Sequence, residues 1–245
     1  MLFPTTQWHI LDTLKAEDED ARRAALGDIV STYGPPLLAF AFRQSDGTRT
    51  REDCEDLVND FFVRCIEGGL LEHADQARGK FRSFLVTSFK YYMSNADRAK
   101  RTQKRRPAGG FVSLDGLREE FGPALEPRTS ETPEAAFHRV FRCSLFKSAL
   151  AEFQKRCSKD DREIHFQLFM LREVQPKRDG TPVPSYRALA SACQVSSENL
   201  ANKMVLGATE EFQSLLLAKV ASDCVSREEA QLECDLIFAG GGALE

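Results

Sequence analysis

The sequence predicts an all-α protein made of two helical domains joined by a flexible linker, with a helix-turn-helix in the C-terminal domain. The clearest apolar run at helical spacing is Cys54, Leu57, Val58, Phe61, Phe62, Cys65 and Ile66. Its i, i+3, i+4 spacing indicates an amphipathic helix. Between residues 107 and 133, prolines and glycines replace this period, which is typical of a linker. A chain of 245 residues has room for one large domain or two small ones.

The predicted domain boundaries follow these changes in pattern. The first domain covers residues 1–106, the linker 107–133 and the second domain 134–222. Within the linker, residues 114–121 carry only a weak helical pattern. Residues 223–245 are an acidic extension with six acidic residues and one basic residue. This extension is expected either to lie across a basic surface or to float free in solvent.

The first domain is predicted to begin with three helices. The first is a short helix around Trp8, and the second covers about residues 17–33. Gly34 and the two prolines after it are expected to end the second helix, because proline lacks a backbone N–H and clashes with the preceding turn. The third helix then begins at Pro36, which suits a first helical turn, and continues to Phe42.

The two helices that follow carry opposite charge. Between positions 51 and 60, the helix that ends at Gly68 has five acidic residues and one basic residue. Residues 80–106 have nine basic residues and one acidic residue, in a chain of net charge −4. This segregation says more about binding partners than the total charge does.

The basic segment combines an apolar stripe with a charged surface. The stripe is predicted to contain Phe81, Phe84, Leu85, Ser88, Phe89, Tyr92 and Ala96. The cations, Arg82 among them, are predicted to face water. Cations can contact the phosphates of single-stranded nucleic acid, and an exposed ring such as Tyr91 can stack on its bases. Tyr92 is predicted to pack in the core, whereas for Tyr91 the sequence allows either the core or the surface. The alternative for the whole segment is a solvated basic helix with no partner.

The second domain is predicted to hold helices over residues 137–153 and about 160–171, followed by a loop over residues 172–184. Residues 185–200 then show helix-turn-helix spacing. Ser185 and Ser196 are the predicted N-caps of its two helices, because serine side chains accept hydrogen bonds from the first backbone N–H groups.

The last two helices are predicted to bury apolar stripes. In the helix after Ser196, the stripe is Leu200, Met204, Val205, Phe212, Leu215, Leu216 and Val220. The final helix begins at Ser226, where Glu229 completes a capping box. Its predicted stripe is Leu232, Leu236 and Ile237.

Composition disfavours several classes of protein. No apolar run reaches about 18 residues and the first residues lack the pattern of a signal peptide, so we expect a cytoplasmic protein that does not engage a membrane. The seven cysteines are odd in number and scattered, and they are expected to be reduced. No Cys-x-x-Cys occurs and no histidine lies at ligand spacing from a cysteine pair. Neither a metal site nor a cofactor is therefore expected.

Four stretches of the chain carry a family resemblance. Residues 52–62 are EDCEDLVNDFF, residues 78–85 are RGKFRSFL, residues 185–190 are SYRALA and residues 6–8 are TQW. They are similar to the E-D-A-E-D-L-x-Q-x-F-F, R-G-R-F-R-S-F-L, S-Y-x-E-L-A and T-x-W motifs of extracytoplasmic-function (ECF) sigma factors. These small two-domain proteins direct bacterial RNA polymerase to promoters. The resemblance extends over about residues 6–220.

This resemblance implies two binding surfaces in the first domain. The acidic helix would dock on the β′ clamp helices of core RNA polymerase through Glu55, Asp56, Asn59 and Asp60, unless it is a plain solvated face. The loop 71–79 and the basic helix would recognise and melt the −10 promoter element. The residues expected to contact DNA there are Arg78, Lys80, Arg82, Lys90, Tyr91, Asn95, Arg98 and Arg101.

In the second domain, the resemblance implies a helix-turn-helix that reads the −35 element. The residues expected to contact that DNA are Ser196, Ser197, Asn199 and Lys203. The chain departs from the family here, because residues 196–212 contain one cation, Lys203, against three acidic residues, and Gln194 replaces the usual glycine of the turn. A major-groove helix without arginine lacks phosphate attraction and the bidentate guanine contact. Reading of the −35 element is therefore expected to be weak, indirect or replaced by a protein contact.

Three functions are compared. The first is a sigma factor that binds core polymerase and promoter DNA, with an anti-sigma or other regulatory protein as a further candidate partner. The second is a sigma-derived decoy or adaptor that keeps its protein contacts but has lost −35 reading. The third, a nuclease, is disfavoured because no carboxylate cluster adjoins the basic helix and the four histidines are dispersed. No catalytic residue, and no enzymatic activity, is expected.

Overall fold

The structure, a computed structural model, is all-helical, as the sequence predicts. It describes residues 18–74, 79–102, 131–221, 223–224 and 226–240. Over these ranges the chain forms helices, turns and short connections, and no β-strand. The predicted helix around Trp8, the weak pattern at 114–121 and nearly all of the predicted linker lie outside the described residues.

The chain divides into two compact units, Met1–Phe141 and Arg142–Glu245. The described elements of the first unit are α1 (Glu19–Ser45), α2 (Arg51–Glu67), a 3-10 turn (Leu70–His73) and α3 (Phe81–Thr102). The division between the units lies within α4 (Pro133–Lys159). The second unit continues with α5 (Glu163–Phe169), a π turn (Met170–Val174), α6 (Gln175–Asp179), α7 (Tyr186–Ala192), α8 (Glu198–Ala221) and α9 (Arg227–Ala239).

α1 is one continuous helix that passes through Pro35 and Pro36. The predicted break at Gly34, with separate helices on either side, is therefore wrong. Every residue from 33 to 41 is buried. A proline inside a helix costs about 3 kcal/mol. Burial of one large apolar side chain contributes about 1.5–3 kcal/mol, so the packing of this run, which includes Phe40, offsets both prolines.

The core of the first unit is aromatic and holds α2 and α3 together. Phe61 of α2 and Phe89 of α3 pack edge to face with their ring centroids 5.0 Å apart. Tyr33 of α1 packs in the same way on Phe81 of α3 at 5.3 Å, and Phe141 stacks on Tyr33 at 5.5 Å. Because these rings occupy the inner sides of α2 and α3, the charged residues of α2 and, in the described part of α3, Lys90 are left on the outer sides.

In the second unit, helical structure continues from α5 to Asp179. The prediction of a loop from Arg172 onward is wrong for these residues. The π turn Met170–Val174 leads into α6, and Pro176 lies at the start of α6, where a missing backbone N–H costs little. The helix ends only at Gly180, which has a φ of 62°.

Phe212 of α8 lies at the centre of the second unit. Its ring centroid is 4.8 Å from that of Phe169 and 5.2 Å from that of Phe146. Phe153 packs edge to face on Phe169 at 5.3 Å. The predicted α8 stripe is buried from Val205 to the end of the helix.

The described part of the acidic extension is not free in solvent. It forms α9, which packs against α8 and begins at the predicted cap, where Ser226 Oγ accepts from the N–H of Glu229 at 3.2 Å. The thiol of Cys234 donates to the carbonyl of Gln213 at 3.8 Å. Arg142 Nε also donates to Glu233 Oε1 at 2.8 Å. These contacts make α9 an integral helix of the second unit.

The buried side of α9 differs from the predicted one. Ile237 is buried as predicted, but Leu232 and Leu236 are 66% and 59% exposed, so their predicted burial is wrong. The other buried residues of α9 are Ala230 and Cys234, whose small side chains let the helix lie close to α8. Two leucines are consequently left on the outer side of the helix.

Candidate functional site

The acidic residues of α2 lie on the side away from the aromatic core. Asp56 and Asp60 are exposed, whereas Glu55 and Asn59 are half-buried. Arg51 donates through Nε to the carboxylate of Glu55 at 3.2 Å, an i,i+4 pair on the helix surface. The four residues that the sequence singled out therefore share one side of α2, and Asp56 and Asp60 are its most accessible part.

Another acidic residue of α2, Asp53, has a local structural role. Its Oδ2 accepts from the backbone N–H and the hydroxyl of Thr50 at 3.2 and 3.1 Å, while the N–H of Asp53 donates to Thr50 Oγ1 at 3.2 Å. These bonds form a capping box that begins α2. The Thr-x-x-Asp spacing was a signal for this cap that sequence reasoning missed.

The exposed side of α3 is a polar stripe. Over residues 81–96, where the side chains are described, its exposed residues are Ser83, Thr87, Lys90, Tyr91, Ser94 and Asn95. The Tyr91 ring is 70% exposed. Among these side chains Lys90 is the one cation, and it forms an ion pair with Glu134. An accessible ring among hydroxyl, amide and ammonium groups suits stacking and hydrogen bonding with unpaired bases.

Arg82 does not belong to this exposed stripe. It is buried, with 5% of its surface exposed, and its guanidinium carbon lies 5.3 Å from the ring centroid of Phe141. The prediction that Arg82 faces water is therefore wrong. Position 82 borders the buried stripe of Phe81 and Leu85, and an arginine can pack its guanidinium on an aromatic ring there.

The two tyrosines of α3 have different environments. Tyr92 is half-buried, as predicted, and its ring centroid is 5.7 Å from that of Phe61. Burial raises the pKa of Tyr92, and the nearby carboxylate of Asp60 adds to the rise. Tyr91, which the sequence left open, lies on the surface. Of the two, it is the ring available to a base.

A cleft of about 200 Å³ opens beside Lys90. Its walls are Gln44, Ser45, Thr48, Arg49, Lys90, Met93 and Ser94, from the end of α1, the following turn and α3. The fold thus places two cations, Arg49 and Lys90, on the same cleft. No sequence signal linked Arg49 to the basic segment, because the two are distant along the chain.

A helix, a turn and a second helix follow one another at the predicted position in the second unit. Ser185 Oγ accepts from the N–H of Ala188 at 3.2 Å, which confirms the first predicted cap. At the end of α7, Val195 N–H donates to the Ala190 carbonyl at 2.9 Å, the long bond of a Schellman motif. Gln194 takes the left-handed position of that motif with a φ of 55°, where glycine would be less strained.

The second helix of the motif begins one residue later than predicted. Ser197 Oγ accepts from the N–H of Leu200 at 3.2 Å, so Ser197 and not Ser196 caps α8. Both serines match the N-cap preference. The turn decides between them, because it brings the backbone into helical geometry only at Glu198.

The outer surface of the first turns of α8 carries little positive charge. Ser196, Ser197, Asn199 and Lys203, the residues predicted to contact DNA, are all exposed. Leu200, which was predicted to be buried, is 42% exposed, and Leu206 is also exposed. The predicted DNA-reading surface therefore presents two apolar side chains and a single lysine.

Some candidate residues fall outside the described part of the structure. Arg78 lies in the range 75–78, which is not described. Arg98 and Arg101 lie within α3, beyond the last described side chain of that helix. Lys80 is half-buried immediately before α3. The described residues that remain candidates for contact with the −10 element are therefore Lys80, Lys90, Tyr91 and Asn95, because Arg82 is buried in the core.

Neither a membrane-spanning helix nor a metal cluster occurs within the described ranges. No helix there combines the length and apolar character needed to cross a bilayer, and no three His, Cys, Asp or Glu side chains are placed to hold a metal ion. No protein-family model, curated protein or solved structure matches this chain.

Proposed function

We propose that this chain is an ECF-type sigma factor that acts in the bacterial cytoplasm. It binds core RNA polymerase and directs promoter recognition and melting, and it has no enzymatic activity of its own. The observation that carries the proposal is the pair of different surfaces on one aromatic core in the first unit. One is the acidic side of α2, and the other is the polar, tyrosine-bearing side of α3.

The acidic side of α2 is the proposed polymerase contact. Asp56 and Asp60 are exposed there, and Glu55 and Asn59 lie along the same side. An anionic helix surface is attracted to a basic partner and is oriented by it during the encounter. The resemblance of this helix to the family's EDAEDL helix implies that the β′ clamp helices are that partner.

The exposed stripe of α3 is the proposed contact with the melted −10 element. Tyr91 offers an accessible ring for a base, while Lys90 and Asn95 offer donors on the same stripe. Stacking of a base on an aromatic ring contributes about 1–3 kcal/mol. Arg49, on the cleft beside Lys90, adds a cation for a phosphate of the same strand. Arg82 is excluded from this surface because it is buried.

The second unit contributes less to promoter choice in this proposal. It has two helices, α7 and α8, joined by a turn at the predicted position, but the first turns of α8 offer one cation, Lys203. Each phosphate contact and each bidentate guanine contact needs a suitable donor. The −10 element is therefore the main determinant of which promoters are used.

A sigma-derived adaptor or decoy is the second candidate function. The observation that favours it is the exposure of Leu200 and Leu206 on the outer surface of α8. Exposed apolar side chains are more typical of a protein contact than of a major-groove helix. Such a protein would keep the polymerase contact of α2 and would not select promoters.

Polymerase binding provides the first test. The variant Asp56→Lys/Asp60→Lys of the full chain is expected to lose affinity for core polymerase by about tenfold or more, because two attractive charges become repulsive. The control Asp28→Lys/Glu210→Lys makes the same charge change at exposed positions on α1 and α8. Equal losses for both variants would assign the effect to net charge and contradict the proposed docking surface.

Run-off transcription separates the two candidate functions. Core polymerase is combined with the full chain on a library of promoters. Specific transcripts that disappear with Asp56→Lys/Asp60→Lys support the sigma factor. Binding to polymerase without any transcript would reject promoter selection and support the adaptor.

A further inference from the structure

An apolar surface on α9 has no role in the functions proposed above. Leu232 and Leu236 lie one turn apart and are 66% and 59% exposed. The opposite side of α9, with Ala230, Cys234 and Ile237, already packs in the second unit. α9 thus has two apolar sides, and the described chain covers only one of them.

Acidic residues flank these two leucines. The exposed positions of α9 include Glu228, Gln231, Leu232, Asp235 and Leu236, which recur at i, i+3, i+4, i+7 and i+8 and so form one stripe. Gln231 Nε2 donates to Asp235 Oδ1 at 2.9 Å, which holds that carboxylate in place along the stripe. The stripe is therefore a short leucine surface with two carboxylates, that of Glu228 before Leu232 and that of Asp235 between the two leucines in sequence.

We propose that this stripe binds a basic amphipathic helix of a partner protein. Apolar side chains of that helix cover Leu232 and Leu236, while its lysine or arginine side chains reach Glu228 and Asp235. Helix-on-helix docking uses apolar anchors at this spacing. The charge of the stripe selects a basic partner and repels acidic ones. This binding adds to the polymerase and promoter contacts and does not depend on them.

A second copy of this chain fits the stripe less well. Two α9 helices packed on each other would bring like-charged carboxylates such as Asp235 together, which is unfavourable. A basic helix meets the same carboxylates with attraction instead of repulsion.

The test uses a synthetic peptide as the probe. A labelled peptide of about 18 residues, long enough to form a helix, places leucines on one side and lysines along both edges. A control peptide has the same composition in an order that scatters the leucines around the helix. Binding to the full chain is followed by fluorescence anisotropy at about 0.1 M salt, where exposed charges still interact. The ordered peptide is expected to bind about tenfold tighter than the scrambled one.

Variants locate the binding to α9. Leu232→Ser/Leu236→Ser is expected to weaken binding of the ordered peptide about tenfold. Val183→Ser removes an apolar side chain of similar exposure from the segment before α7 and is expected to leave binding unchanged. Glu228→Gln/Asp235→Asn is expected to weaken binding and to reduce its dependence on salt. This charge variant keeps both leucines, so it tests the proposal even if the serine variant folds poorly.

Three outcomes would overturn the proposal. Equal affinity for the two peptides would show that only net charge matters. Equal loss with Val183→Ser would place the binding elsewhere. A dimer that light scattering detects for the original chain, and that Leu232→Ser/Leu236→Ser abolishes, would assign the stripe to a second copy.

Discussion

Arg162 and Glu211 form a two-point ion pair, with Nη1 2.8 Å from Oε2 and Nη2 3.2 Å from Oε1. Arg162 lies immediately before α5, and Glu211 lies within α8, next to the central Phe212. Paired hydrogen bonds between a guanidinium and a carboxylate are stronger than a single surface contact. This pair therefore fixes the start of α5 on the long helix of the second unit.

Removal of this pair is expected to destabilise the protein. Arg162→Gln and Glu211→Gln should each lower the free energy of unfolding by about 1 kcal/mol, and the double variant by less than the sum. Urea denaturation measures all three. Arg178→Gln is the control, because its partner Asp179 is its exposed neighbour in sequence, and it should change the free energy by only a few tenths of a kcal/mol. If the loss of stability in the double variant equals the sum of the two single losses, Arg162 and Glu211 do not stabilise each other.

His165 makes the stability of the second unit depend on pH. Burial lowers its pKa, the positive charge of Arg162 lowers it further, and Glu211 opposes the shift. Because the pKa is lower in the folded state, the unfolded chain binds this proton first as the pH falls. The stability that neutral His165 contributes is fully present above pH 6.5, the ordinary pKa of histidine, and is lost as the pH falls through the folded-state pKa.

The corresponding measurement is urea denaturation at a series of pH values. Between about pH 7 and pH 5, the free energy of unfolding should decrease more steeply for the original chain than for His165→Gln. His138→Gln changes a histidine of the first unit and serves as the comparison. Identical slopes for the original chain and His165→Gln would contradict the assignment.

Two adjacent serines provide a matched test of the α8 cap. Ser197→Ala is expected to lower the free energy of unfolding by about 1 kcal/mol, because the N–H of Leu200 loses its acceptor. Ser196→Ala should change it by only a few tenths of a kcal/mol, since its exposed side chain does not cap the helix. Thermal or chemical denaturation compares the two. A larger effect at Ser196 would place the start of α8 one residue earlier.

Arg82 and Tyr91 should affect different properties of the protein. Arg82→Ala is expected to lower the free energy of unfolding by about 1–3 kcal/mol, because a buried side chain that packs on Phe141 is lost. Tyr91→Ala should leave stability nearly unchanged. With core polymerase bound, however, Tyr91→Ala should weaken binding of the single-stranded −10 strand by about 5- to 100-fold, as expected for a lost stacking contact.

Denaturation and DNA-binding titrations give these two readouts for each variant, with Thr87→Ala as the control on the same stripe of α3. Tyr91→Ala that binds the −10 strand normally would remove Tyr91 from the proposed DNA surface. If Tyr91→Ala lowered stability as much as Arg82→Ala does, the exposed position of Tyr91 would be contradicted.

The seven cysteines should react at two distinct rates. Cys193 and Cys224 are half-buried, whereas the other five are buried. Burial raises the pKa of Cys65 to about 12, so very little of the reactive thiolate forms near neutral pH. Mass spectrometry after brief alkylation of the folded chain should find Cys193 and Cys224 modified before Cys54, Cys65, Cys143, Cys157 and Cys234. Early modification of Cys65 would show that the α2 core opens readily.

The local features of this protein could be predicted from its sequence alone. The 3.6-residue period of apolar side chains identified α2, α3 and α8, because burial of one side of a helix leaves that pattern. Ser185 and Ser226 marked helix starts, since a cap requires only its own backbone neighbours. Charge segregation between α2 and α3 could also be predicted, because the charge of each segment can be counted from the sequence without knowing how it packs.

Features that depend on neighbours distant in sequence could not be predicted, because tertiary packing sets them. Burial of residues 33–41 stabilises α1 as one helix across its two prolines, and Arg82 is buried where it packs on Phe141. Close packing on α8 selected Ala230 and Cys234 for burial and left Leu232 exposed. Helical spacing alone allows more than one side of such a helix to be buried. Packing against other elements determines which side is buried, because the free energy of packing exceeds local preferences of about 1 kcal/mol.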